Sequence, residues 1–216
     1  MSFHERIHRG AAIVLGLWSL SLQVCAQPAW MDNPTNSPSL RVSLKSEEFR
    51  GGLNGSQVQR VYLTLGTNQF AIAVPEGYRA DASNPQKIVL SDFNYTSFIT
   101  WRFIGAAPAG SDASRDAFYR NLALNLFPGA IVTDQFSQGA ASHMGPAFEL
   151  RWRNSSGVEE IACVAFIPTA AGVMQFDLLA SSSNFNAGRY TLRVLLSTLC
   201  SNEQGKLKIN PVPGQS

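Results

Sequence analysis

From residue 58 onward the chain alternates apolar and polar side chains with a period of two. Val61, Leu63 and Leu65 share one face and Arg60, Tyr62 and Thr64 the other. Gly66-Thr-Asn68 then turns the chain into Phe70, Ile72 and Val74, again on one face. Residues 87–93 and 95–103 repeat the pattern, with Ile99, Trp101 and Phe103 facing inward and Thr100 and Arg102 outward. Such alternation predicts antiparallel strands with one dry and one wet face. A shorter alternation at residues 40–44 predicts a first strand, broken by Gly51-Gly-Leu-Asn-Gly55.

The period changes at residues 111–127. Ser111 and Asp112 suit an N-cap, Phe118, Leu122 and Leu126 recur every four residues beside Tyr119, and Pro128-Gly129 stops the run. This predicts an amphipathic helix. Strands resume at 130–136 and 147–153, the latter with Phe148, Leu150 and Trp152 in and Glu149, Arg151 and Arg153 out. Asn154-Ser-Ser-Gly157 and Thr169-Ala-Ala-Gly172 punctuate two further strands at 159–167 and 174–180. Residues 186–200 place Leu192, Leu195, Leu196 and Leu199 on one helical stripe. The expected fold class is α+β: an antiparallel sheet of about six to eight strands, covered on one face by a central and a C-terminal amphipathic helix as an α/β sandwich.

The ends change the picture. Arg6 and Arg9 precede an apolar run, Ala11 to Val24, shorter than the about 20 residues a membrane helix needs. Val24-Cys25-Ala26 follows as a small-residue cleavage pattern. Residues 1–26 therefore read as a secretory signal peptide, with lipidation of Cys25 as the competing reading. The expected organisation is an arm at 27–57 with a possible first strand, a single domain at 58–200 and a polar tail at 201–216. Removing Glu5, Arg6 and Arg9 with the leader leaves 15 basic and 14 acidic residues, without a basic stripe for nucleic acid. No later segment predicts a transmembrane anchor. Two cysteines remain, Cys163 and Cys200, and in an oxidising compartment they predict one disulfide. Closing that loop is worth about 4 kcal/mol in the chain-entropy model. Two buried free thiols are the alternative.

Phe70-Ala-Ile-Ala-Val-Pro-Glu-Gly-Tyr78, the central helix, the meander 148–180 and the closing helix together resemble the PsbP/Mog1-like α/β sandwich, including DcrB-type exported bacterial proteins. The resemblance covers residues 58–200. It implies a non-catalytic assembly or interaction protein. It also implies a structural corner in which Pro75 ends a ladder, Gly77 bends the chain and Tyr78 caps the core edge.

Candidate chemistry is sparse. After the leader only His143, in a predicted loop, remains, so a zinc site with several histidines is excluded and a Ser-His-Asp triad would have to use that residue. Glu159 and Glu160 are adjacent on a strand and point to opposite faces, so they cannot act as a pair. Asp92 with Asn94, and Asp81 with Asn84, offer oxygen ligands for calcium but read better as turn chemistry. Asn54, Asn94 and Asn154 begin glycosylation sequons. No catalytic residue, metal or cofactor is expected. Arg102, Glu149, Arg151 and Arg153 are expected on one outer sheet face, as a solvated surface or a docking site for an acidic partner.

The leading expectation is an exported, periplasmic or secreted interaction module whose partner is another envelope protein. The alternative is a binder of a small apolar or amphipathic ligand between sheet and helices, lined by Phe70, Trp101, Phe103, Phe118, Phe148 and Trp152. A carboxylate-based hydrolase comes third.

Overall fold

A computed structural model describes residues 40–49, 56–140 and 142–202. The expected signal peptide, the arm before residue 40, the Asn54 sequon and the tail from 203 lie outside the described residues. The elements follow in the order β1 (Leu40–Phe49), β2 (Ser56–Leu65), β3 (Asn68–Ala73), β4 (Tyr78–Asp81), β5 (Lys87–Asp92), β6 (Ser97–Phe103), α1 (Asp112–Leu126), β7 (Ile131–Ala140), β8 (His143–Arg153), β9 (Glu159–Thr169), β10 (Gly172–Ser181), α2 (Phe185–Ser197) and β11 (Cys200–Ser201). The strands form two antiparallel sheets. The smaller has the order β1-β2-β3-β11 and the larger β4-β5-β6-β10-β9-β8-β7.

The α+β class and the seven-stranded antiparallel sheet are as the alternation predicts. Two features differ. First, β1 is ten residues long and pairs with β2 from Leu40 opposite Leu65 to Phe49 opposite Ser56, so part of the expected arm belongs to the fold. Second, the helices cover opposite faces of the large sheet. One core joins Ile88, Leu90, Ile99, Trp101, Met174, Phe176 and Leu178 to α2 and to Val61, Leu63, Phe70 and Ile72 of the small sheet. The other joins Phe148, Leu150, Ala162, Val164 and Phe166 to Tyr119 and Ala123 of α1. The cause lies in parity: Trp101 and Phe176 point to one side, Phe148 and Leu150 to the other. Strand β9, between β10 and β8, is buried continuously from Ile161 to Ile167.

Local chemistry sets the element ends. Ser111 Oγ accepts from the Ser114 amide at 3.3 Å and caps α1. Tyr119 and Ala123 are its buried residues, while Phe118, Leu122 and Leu126 pack more peripherally against the same core. In α2 the expected leucine stripe is buried, and Thr198 ends the helix. Thr198 Oγ1 donates to the Leu195 carbonyl at 2.8 Å and accepts from the Ala73 amide at 3.0 Å, tying the end of α2 to the end of β3. The chain crosses between sheets at Val74-Pro-Glu-Gly77. The Tyr78 amide donates to the Pro75 carbonyl at 3.1 Å, and Gly77 takes φ +79°. That conformation is strained for any residue with a Cβ.

Candidate interaction surface

Glu149 lies buried on β8, on the face that α2 covers. Its Oε1 accepts from Arg151 at 2.9 Å, and its Oε2 from Arg189 of α2 at 3.4 Å. Thr133 Oγ1 adds a donor at 3.3 Å. The Arg189 guanidinium also lies over the Phe136 ring, 4.7 Å from its centroid. One buried carboxylate thus gathers two cations and fixes α2 to the β7–β8 hairpin. Arg151 extends toward Glu159 at 3.9 Å, and Arg153 donates to the Gly157 carbonyl at 3.0 Å.

Arg102 stands apart from these three. It lies on the opposite face, where it donates to Asp177 at 2.9 Å, and Gln175 Nε2 donates to the other carboxylate oxygen at 2.6 Å. The four residues do not form one outer surface, because the inward residues of β6 and β8 point in opposite directions. Asp177, which points to the other side of β10 from Phe176 and Leu178, is buried. Burial pushes its carboxyl up from the ordinary value, against the opposing pull of Arg102 and Gln175.

Pro75, Gly77 and Tyr78 sit at the passage between the sheets. The Tyr78 hydroxyl donates to Ser97 Oγ at 3.0 Å, and its ring packs against the core that α2 shares. Beside it the β5–β6 hairpin tip exposes Phe93 and Tyr95, with Arg79 stacked on the Phe93 ring at 4.9 Å. The aromatic tip was missed because its alternation reads as ordinary strand.

The expected disulfide is absent: Cys163 and Cys200 are both buried and are not bridged. Cys163 points from mid-β9 into the α2-side core, while Cys200 pairs with Ala71 at the edge of the small sheet. Cys163 packs as a small apolar residue and burial pushes its thiol up to about 12, while the Cys200 thiol donates to the Thr198 carbonyl at 3.1 Å.

The oxygen-rich turns are spent on their own backbones. Asp92 accepts from Thr96 N at 2.7 Å, Thr96 Oγ1 at 2.6 Å and Ser97 N at 3.1 Å. Asp81 and Asn84 accept from Ser83 and Gln86 amides. Hydrogen bonding from the Ser83 side chain, and then from its amide, holds the Asp81 carboxyl below its ordinary value. Asn154 accepts from Ser156 and Val158 amides and donates to Glu160 at 3.1 Å. His143 opens β8 opposite Ala140 and is not in a loop. Of the aromatics considered as a ligand lining, Phe70, Trp101 and Phe148 are fully buried, and Trp101 stacks on Phe176 at 5.7 Å. They fill the core. An open depression of about 320 Å³ lies elsewhere, along β7, β8 and α1, lined by Asp116, Gln135, Phe136 and Met144 among others. Among the described residues no helix is long and apolar enough to cross a membrane.

This arrangement, an antiparallel sheet flanked by a helix on each face with a small sheet beside α2, has the PsbP/Mog1-like fold. LpqN of Mycobacterium tuberculosis, a protein involved in cell envelope biogenesis, shares it. Its TM-score is 0.50 at 13% identity, over 73% of this chain and 90% of that one. Cyanobacterial PsbP from Synechocystis follows with a TM-score of 0.42 at 12% identity, covering 77% of this chain and 94% of that one. The Ran-binding protein Mog1p of Saccharomyces cerevisiae has a TM-score of 0.39 at 12% identity, covering 70% and 84%. At these identities the likeness is one of fold. No protein-family model matches the sequence, and no curated protein matches it by sequence.

Proposed function

We propose that this chain is an exported, non-catalytic interaction or assembly module of the cell envelope. The observation that carries the reading is the saturation of its buried carboxylates by structural donors. Glu149 is held by Arg151, Arg189 and Thr133, and Asp177 by Arg102 and Gln175. A general acid or base needs a carboxyl within reach of a substrate proton. These are instead fixed between elements of the fold. The basic start, apolar run and Val24-Cys25-Ala26 of the sequence support export, and the shared fold of LpqN, itself involved in envelope biogenesis, supports the same compartment. Arg151 and Arg153, at the β8–β9 end, are the cations of this face that reach solvent toward an acidic partner.

Mass spectrometry of the protein from its own exported fraction tests the reading, with a photo-crosslinker placed at position 153. The expected result is a chain beginning at Gln27 and one discrete cross-linked protein. A chain retaining Met1 in the cytosol overturns export. A discrete small-molecule adduct, in place of the cross-link, moves the reading to the ligand binder.

A further inference from the structure

The two sheets end in four edges, and they are not guarded alike. Strand β11 has two residues and β4 has four, too short to template a partner. The sequence of β1, LRVSLKSEEF, carries Arg41, Lys45, Glu47 and Glu48. Charged residues and short length are how natural sheets prevent edge-to-edge pairing. Strand β7, IVTDQFSQGA, is ten residues long and carries one charge, Asp134, with no lysine, arginine or proline. Its only irregularity is a bulge between Val132 and Asp134. From Asp134 opposite Glu149 to Ala140 opposite His143 the ladder to β8 is unbroken. Ile131, Thr133, Asp134, Gln135 and Ser137 are exposed, and among the described residues no strand pairs with its outer side.

The side-chain order along this edge selects the occupant. Asp134, Phe136 and Gln138 form one row, facing the α2 side with Glu149, Ala147 and Gly145. Rotating the strand about a two-fold axis through Phe136 sets Asp134 against Gln138 of the copy, Gln135 against Ser137, and Phe136 against itself. No like charges meet, each Asp134 gains an amide donor, and two rings abut at the centre. Each ring lies under an Arg189 that shares the Glu149 carboxylate with Arg151. A C2 interface requires this kind of self-complementarity, whereas pairing with a foreign strand does not.

We propose that β7 pairs antiparallel with β7 of a second copy of this chain, centred on Phe136, joining two large sheets into one. The inference goes beyond the module role and depends neither on export nor on an envelope partner.

Sedimentation velocity of the full chain across a concentration series tests it with two substitutions at one partly exposed position. Gln138→Lys faces Asp134 twice in the dimer and is expected to tighten the dimer Kd about tenfold. Gln138→Asp creates two like-charge pairs and is expected to loosen it about tenfold. Hydrogen exchange is expected to slow at 134–140 as the dimer forms, and the thermal midpoint of each variant at low concentration reports that the fold is intact. A chain that stays monomeric throughout overturns the proposal. So do two variants that shift Kd in the same direction, or protection that appears outside β7. If β7 amides of a monomeric chain slow only when another envelope protein is added, the occupant is a foreign strand and the two-fold pairing is wrong.

Discussion

Gly188→Ala inverts an ordinary rule and thereby measures how tightly α2 is seated. In an exposed helix interior, replacing glycine by alanine stabilises by about 1 kcal/mol through backbone entropy. Gly188, however, is buried in α2 where the helix crosses β6 and β10. An added Cβ would lie 2.9 Å from Leu178 Cδ1 and 2.9 Å from Ser97 Oγ. Neither neighbour yields easily: Leu178 is fully buried, and Ser97 Oγ is held by the Tyr78 hydroxyl at 3.0 Å. Overpacking of a well-filled core costs about 1–3 kcal/mol. Subtracting the propensity gain leaves a net loss of about 1 kcal/mol, which for a domain of this size lowers Tm by about 2–4 °C. Ala187→Gly, one residue earlier and exposed, supplies the propensity effect alone. In a Leu178→Val background, which opens room for the new methyl, the penalty is expected to shrink. Thermal unfolding by circular dichroism reads all three. A Tm that rises for Gly188→Ala refutes the seating argument, because it means that α2 stands off the sheet.

Three other outcomes follow from the same structure. Glu149→Gln leaves Arg151 and Arg189 facing each other without their shared anion. Because both arginines are partly exposed, a loss of about 1–2 kcal/mol is expected, and an unchanged urea midpoint would contradict it. The native chain from Gln27 onward is expected to resist thiol alkylation at pH 8, while the same chain denatured without reductant takes two labels; no label in denaturant would mean that Cys163 and Cys200 are bridged. Asp177 has a folded pKa above 3.8, so its contribution to stability is largest in acid and is lost as pH rises through the folded value. The stability gap between wild type and Asp177→Asn is therefore expected to narrow from pH 4 to pH 7; urea midpoints that show it widening would reverse the sign.

The strands and helices were legible because their periods are clean: Trp101 with Ile99, Leu150 with Phe148, and the leucine stripe of α2 each announce an inward face. What sequence could not supply was which inward face meets which. Alternation fixes a strand's two sides relative to its own residues but not relative to its neighbours. Parity on β6 and on β8 therefore sorted each strand's two sides, but it took the Glu149 side for a wet face and set the inward sides of the two strands together, and both readings fail. The run Ile161-Ala-Cys-Val-Ala-Phe-Ile167 carried the missing signal, since a strand with no polar alternation is buried on both faces. Read that way, it places a cover on each side, separates Arg102 from Glu149, and makes Asp177 a buried residue. Strand β4 was hidden because Tyr78-Arg-Ala-Asp81 is too short for periodicity to register. The Arg189–Phe136 contact brings together residues more than fifty positions apart and has no local trace.

Two-sided coverage also decides where a partner has room to bind. When only one face of a sheet is dry, the other offers a broad surface, and charges along it invite a docking argument. Here α1 lies over one face of the large sheet, and α2 with the small sheet over the other, so little open face remains. The buried carboxylates on those faces are consumed inside the fold: Glu149 ties β8 to α2, and Asp177 ties β10 to β6. Recognition then has to come from the perimeter: strand edges, hairpin ends and the chain crossing between the sheets. The perimeter is where the unspent chemistry lies. Arg153 projects from the β8–β9 end, Phe93 and Tyr95 from the β5–β6 tip, and β7, bulged only between Val132 and Asp134, has no strand on its outer side among the described residues. A perimeter binder can change partners by altering an edge or a tip without disturbing either core.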